Sequence, residues 1–151
     1  MDKTQNIALF GGSFDPPHIG HKLIVDALLH LSYIDKVIVM PTFLNPFKSK
    51  SYASSSLRLK WLKKIFEKYS DVEVSKYEIQ QNKKVPTIQT IEYLSQKYNK
   101  IYLVIGADNL ISLEKWQNYD TLKTKVSFIV AHRDGIEIPK SFLRLQINEN
   151  I

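Results

Sequence analysis

The sequence predicts a doubly wound α/β fold, a mainly parallel sheet with helices on both faces, from three observations. Short apolar, β-branched runs recur along the chain and alternate with stretches of helical apolar spacing. Two of these runs, Lys36-Val37-Ile38-Val39-Met40-Pro41 and Lys100-Ile101-Tyr102-Leu103-Val104-Ile105-Gly106, lack polar alternation, as strands covered on both faces do. Polar residues and glycines follow the carboxyl ends of the runs, where open α/β sheets bind ligands. The pattern is Rossmann-like.

In chain order, Ile7-Ala8-Leu9-Phe10 reads as a strand, followed by a glycine turn and a helix carrying Leu23, Ile24, Ala27, Leu28 and Leu31. The run at Lys36 completes a βαβ unit, and a long polar loop leaves it through Thr42-Phe43-Leu44-Asn45-Pro46-Phe47-Lys48. Lys48 is singled out because a flexible ammonium there reaches a phosphate at the sheet edge. Ser54-Ser55-Ser56 offers caps to a helix through Leu57, Arg58, Trp61, Leu62, Ile65 and Phe66, with Trp61 assigned to the core. Val72-Glu73-Val74 is a short strand, and a polar connection leads to a helix for which Thr87 reads as the N-cap, with Ile88, Ile91 and Leu94 facing inward. Its unpaired amides suit a carboxylate or phosphate.

After the strand at Lys100, Gly106 permits close approach of a ligand, and Asp108 is placed to accept from ribose hydroxyls or to cap a helix. Trp116 either stacks on a planar ring or packs in the core. Val126-Ser127-Phe128-Ile129-Val130-Ala131 is a further strand with His132-Arg133 at its end, where the guanidinium can stack on a base. Leu143, Leu145 and Ile147 alternate with polar residues, as in a partly exposed last strand.

The most informative stretch is Gly11-Gly12-Ser13-Phe14-Asp15-Pro16-Pro17-His18-Ile19-Gly20-His21. Glycines let backbone approach an anion, and amides opening a helix point at whatever negative group sits there. His18 and His21 are expected to project from one face of the helix start, where imidazoles donate to phosphate oxygens and, if protonated, offset charge on phosphorus under attack.

The 151 residues are read as one domain spanning 1–151, with 44% hydrophobic content and no cysteine, which excludes disulfide frameworks and thiolate metal sites. A formal charge of +6 and a pI near 9.4 suit a polyanion such as a nucleoside triphosphate, although Lys60, Lys63, Lys64 and Lys68 read as a solvated helix face. The polar amino terminus and the absence of a long apolar run predict no membrane partner and a cytoplasmic location.

These motifs resemble the nucleotidylyltransferase superfamily, and over nearly the whole chain the bacterial nicotinate-nucleotide adenylyltransferases. The opening motif, Arg58-Leu59, Gly106-Ala107-Asp108-Asn109-Leu110, Trp116 and His132-Arg133-Asp134-Gly135 carry the likeness. It implies transfer of AMP from ATP to nicotinate mononucleotide, giving deamido-NAD and pyrophosphate, with Mg2+ accompanying the triphosphate and no protein metal site. It further implies catalytic His18, His21 and Lys48. ATP would be bound by Gly11, Gly12, Ser13, Phe14, His18, His21, Gly106, Asp108 and Arg133, and the mononucleotide by Thr87, Trp116 and Gln117. No nucleic acid is expected, and a homo-oligomer is left open. The chain departs from the pattern at Phe47, where the family has His, at Val85-Pro86, and at its end, which is expected to be a truncation short of an Ile-Ser-Ser-Thr-x-x-Arg motif. Phosphopantetheine adenylyltransferase and a nucleotide-binding module without catalysis are the alternatives.

Overall fold

The computed structural model describes residues 3–43, 53–132 and 138–147. Its elements run β1 (Asn6–Gly12), α1 (Ile19–Leu29), β2 (Lys36–Pro41), α2 (Ser55–Ile65), β3 (Val72–Val74), α3 (Tyr77–Gln80), α4 (Thr87–Ser95), β4 (Lys100–Gly106), α5 (Ala107–Ser112), a 3-10 turn at Leu113–Lys115, α6 (Tyr119–Lys125), β5 (Ser127–His132) and β6 (Leu143–Gln146). The strands form one sheet in the order β3-β2-β1-β4-β5-β6, and every pairing is parallel. The order reverses between β1 and β4, so adjacent loops at their carboxyl ends diverge to opposite faces and leave a crevice.

Because strand side chains alternate, β1 feeds two cores. Ile7 and Leu9 join Ile38, Met40, Ile101, Leu103 and Phe128 under α4 and α6, through Ile88, Ile91, Leu94 and Leu122. Ala8 and Phe10 join Val37, Val39, Tyr102, Val104 and Ile129 under α1 and α2, through Val25, Leu28 and Leu62. Helices therefore cover both faces, as the unbroken apolar runs predict.

Five local expectations change. Gly11 and Gly12 are the last residues of β1, in register with Met40 and Pro41, so the turn begins at Ser13. Thr87 is not the N-cap of α4; Pro86 is, at φ −64° and ψ 143°, and no side chain caps that end. The proline's fixed φ and extended ψ supply the entry geometry that a threonine cap would otherwise give. Asp108 does not cap α5 either, since Gly106 holds that position. The polar connection before Thr87 contains α3, a single turn carrying buried Glu78. Ser54 does cap α2, accepting from Leu57 N at 3.1 Å. Trp61 is half-buried rather than enclosed. In β6, Leu145 is 3% exposed against 38% for Leu143, so the last strand is partly exposed as its alternation predicts.

Candidate active site

The start of α1 is built by its two histidines. His18 is the N-cap in extended conformation, and its Nδ1 accepts from Gly20 N at 3.0 Å. His21, three residues on, returns the favour: its Nδ1 accepts from His18 N at 3.0 Å. This is a reciprocal capping box with imidazoles in place of the usual hydroxyl and carboxylate. The rings stack at 3.7 Å. Two consequences follow from the donor inventory. An Nδ1 that accepts an amide hydrogen carries no proton, so each neutral ring must hold its proton on Nε2. Each histidine thus keeps one N–H donor for a ligand, and its tautomer is set by the helix start.

The sequence leaves the charge of these rings open, and burial decides it for one of them. Burial, reinforced by the neighbouring His18, pulls the His21 pKa down from 6.5 to about 4. At neutral pH His21 is therefore a neutral hydrogen-bond donor, not an imidazolium. The glycine between them is explained by the same geometry. A Cβ on Gly20 would stand 2.8 Å from His18 Cε1 and 2.9 Å from its Nδ1, closer than side chains pack.

Phe14 lies beneath this pair. It is 2% exposed, and its ring meets Phe10 edge-on at 5.3 Å and His21 at 4.8 Å. Its φ of 49° is left-handed, an unfavourable conformation for an aromatic residue that must be held from outside. Part of the hold comes from Arg58, which is fully buried. It donates to Ser13 O at 2.8 Å, Thr42 O at 2.7 Å, Phe43 O at 2.9 Å and Ala53 O at 3.2 Å. Burial lowers the Arg58 pKa, with Asp15 opposing, and the guanidinium stays charged.

At the strand-order reversal opens a cleft of about 420 Å³. Leu9, Gly11, Gly12 and Ser13 line one side, Met40 and Thr42 the end of β2, Leu103 and Val104 the floor, and Glu78 with Lys84-Val85-Pro86-Thr87 and Lys115-Trp116-Gln117 the far wall. The glycine loop and the trio Thr87, Trp116 and Gln117, expected to form one site, thus face a single cavity. Two buried polar atoms on its wall, Thr42 Oγ1 and Trp116 Nε1, have no partner among the described residues. Trp116 is half-buried, packs against the core under α4 and lines the cleft, so its packing is observed.

Other expected residues fall elsewhere. His18, His21 and Phe14 flank the cleft rather than line it, and Gly106 is exposed at the end of β4 with open space where a Cβ would be. Asp108 belongs to α5, and its side chain lies outside what is described. Lys48 and Arg133 also lie outside the described residues.

The sequence reading missed Glu78. Only 7% exposed, it accepts from Thr90 Oγ1 at 2.7 Å, and burial, opposed by that bond, raises its pKa from 4.5 to about 7. It also missed the lining residues Thr42, Lys84, Asn109 and Lys115. Arg58 was noted as a residue of its helix and as half of a motif, with no role of its own. Its spacing of four from Leu62 and eight from Phe66 was the available signal that it points inward.

Known proteins resemble this chain over nearly its whole length. A family model described as cytidylyltransferase-like matches residues 9–151. A Sulfurimonas denitrificans protein called "Probable nicotinate-nucleotide adenylyltransferase" is 61% identical over 145 residues, covering 96% of this chain and 80% of that one. A Campylobacter fetus subsp. fetus protein of the same name is 49% identical over 148 residues, covering 97% and 82%. Among solved structures, Plasmodium falciparum nicotinic acid mononucleotide adenylyltransferase complexed with NaAD matches with a TM-score of 0.76 at 22% identity, covering 97% of this chain and 76% of that one. At that identity the match speaks to the fold. The chain belongs to the cytidylyltransferase-like family and, within it, to the nicotinate-nucleotide adenylyltransferases.

Proposed function

We propose that this chain transfers the adenylyl group of ATP to nicotinate mononucleotide, releasing pyrophosphate and forming deamido-NAD. The observation that carries the reading is one cleft that joins a glycine-lined strand end to a helix start and an indole. The first suits phosphates, and the second suits a planar ring bearing a carboxylate.

The chemistry needs no base on the protein, because the attacking phosphate monoester is already ionised at neutral pH. One of its oxygens forms a bond to the α-phosphorus of ATP while the bond to the leaving pyrophosphate breaks in line. The backbone of Gly12, Ser13 and Phe14 cradles the nucleotide. His18 and His21 donate from Nε2 to the α-phosphate oxygens, where charge grows in the transition state. Both donors are in place before reaction, so little reorganisation accompanies it. Trp116 stacks on the pyridine ring, and the amide N–H groups near Thr87 and Gln117 donate to its carboxylate. Gly106 and Asp108 hold ribose or base, Arg133 lies near adenine, and Lys48 runs along the phosphates.

Mg2+ would accompany the triphosphate and would supply charge neutralisation at the phosphates. Among the described residues there is no cluster of three or more His, Cys, Asp or Glu.

The test is pyrophosphate release from ATP and Mg2+ with nicotinate mononucleotide, nicotinamide mononucleotide or phosphopantetheine as acceptor, on this chain and on a form extended with an Ile-Ser-Ser-Thr-x-x-Arg segment. Release preferring nicotinate mononucleotide is expected. Release only with phosphopantetheine, or ATP binding with no release from either form, would overturn the reading.

A further inference from the structure

A guanidinium removed from water must find acceptors for its N–H groups, and the carbonyls it finds are fixed in return. The carbonyls held by Arg58 come from three separate segments: Ser13 after β1, Thr42 and Phe43 after β2, and Ala53 before α2. Asp15 adds a fourth strap, its Oδ1 accepting from Ala53 N at 3.0 Å. One buried side chain therefore sets the relative positions of both loops that leave the centre of the sheet.

The direction of these bonds matters more than their number. In a trans peptide the C=O and the following N–H point to opposite sides. Drawing Ser13 O toward Arg58 turns the Phe14 N–H away from it, and drawing Thr42 O does the same for the Phe43 N–H. Arg58 is not part of the cleft wall, whereas Gly12, Ser13 and Thr42 are, so the guanidinium lies behind the loops. Among the described residues the N–H groups of Ser13 and Phe14 donate to no backbone carbonyl. The left-handed Phe14 is the residue whose amide direction most needs an outside constraint.

We propose that Arg58 is the positioning residue of the phosphate cradle: without touching substrate it aims the Phe14 N–H, through the Ser13–Phe14 peptide, at the bound nucleotide's phosphate. The proposal rests on the reading of Gly12, Ser13 and Phe14 as the ATP cradle. The positive charge also acts at one remove, because a peptide whose carbonyl bonds a guanidinium is polarised and its N–H becomes a stronger donor. Lysine cannot substitute, since its compact head lacks the planar fork that spans several carbonyls at once.

The experiment compares the wild-type chain with Arg58→Lys, using ATP with Mg2+ as the probe. Amide NMR on the wild type is expected to show the Ser13 and Phe14 signals moving on ATP addition. In Arg58→Lys the Phe14 response is lost, KM for ATP rises roughly 10- to 100-fold, as for the loss of a charge-assisted hydrogen bond, and KM for the mononucleotide changes far less. A structural role alone would lower the melting temperature and leave KM for ATP unchanged in the folded fraction, and that result overturns the proposal. Failure of Ser13 and Phe14 to respond in the wild type, with ATP demonstrably bound, overturns the cradle reading itself. Should Arg58→Lys not fold, the wild-type chain still decides: the buried Arg58 Nη signals must shift when ATP binds, and signals that stay put refute the linkage.

Discussion

Replacing Gly20 with alanine sets helix propensity against site geometry, and the two predict opposite signs. Gly20 is the second residue of α1. In an ordinary helix the change Gly→Ala stabilises by up to about 1 kcal/mol. Here the new Cβ would lie 2.8 Å from His18 Cε1, and the ring must retreat by about 0.6 Å to reach ordinary contact at 3.4 Å. The ring cannot retreat and keep its bonds, because its Nδ1 accepts from Gly20 N itself and its face is stacked on His21. Its exposed edge lets it swing into solvent, which gives up the N-cap, worth about 1 kcal/mol. The reciprocal bond from His18 N to His21 Nδ1 weakens as the cap residue shifts, a further ~1 kcal/mol.

The net expectation for Gly20→Ala is a loss of about 1 kcal/mol, a fall of roughly 2–4 °C in melting temperature for a chain of this size. Turnover suffers more than stability. Displacing a donor by the better part of an ångström from the α-phosphate is expected to lower kcat by ~100-fold. Thermal unfolding and pyrophosphate release on the same preparation read both quantities. A variant that gains stability, as propensity demands, while retaining turnover within twofold would show that the His18 ring does not rest over Gly20.

Three further outcomes are expected. His18→Ala or His21→Ala lowers turnover by ~100-fold or more while circular dichroism shows the fold intact, as for removal of an oxyanion-hole donor; near-normal turnover in either variant refutes the donor role. Glu78 has a folded pKa of about 7 against 4.5, so its contribution to stability is complete below pH 4.5 and is lost as pH rises through 7. The loss is on the order of 3 kcal/mol, and Glu78→Gln, which still accepts from Thr90, is expected to remove that slope and exceed the wild type in urea midpoint at pH 8. An unchanged pH dependence in the variant would show that Glu78 is not the group responsible. His21 titrates in the opposite sense: its pKa of about 4 means that the stability it contributes is present above pH 6.5 and is lost as pH falls through 4. Its imidazole Cε1–H NMR signal is expected to move with a midpoint near 4, and a midpoint above 6 contradicts the burial argument.

What could be read in advance follows from which signals are periodic. Strands covered on both faces announce themselves as apolar runs, so β2 and β4 were legible at their observed bounds. Part of the cleft wall was legible from residue types, the paired glycines after a strand and Thr87 at a helix start, whereas Gln117 came only with the family likeness. The single turn α3 is too short to show a 3.6-residue period, and its buried Glu78 looks in the sequence like one more solvated carboxylate. Arg58 was hidden by company, since Lys60, Lys63 and Lys64 share its helix and are exposed, while Arg58 alone among them sits on the inward stripe. Nor could spacing reveal that each histidine uses Nδ1 on the backbone, because that depends on the extended conformation of His18 as a cap.

The buried cation and the neutral His21 belong to one arrangement. Surface charges such as lysines along the phosphates bind the triphosphate before and during reaction about equally, and uniform binding does not raise kcat. Here Arg58 is spent on four carbonyls behind the loops, and His21, with its pKa near 4, offers a hydrogen bond without a full charge. Donors fixed in direction gain most where negative charge accumulates on the phosphoryl oxygens, in the transition state. On this view, substituting a cationic donor for His21 should tighten ATP binding and slow turnover together. His21→Lys is the variant to measure, through Kd for ATP and kcat, and a rise in kcat would show that charge rather than direction limits the reaction.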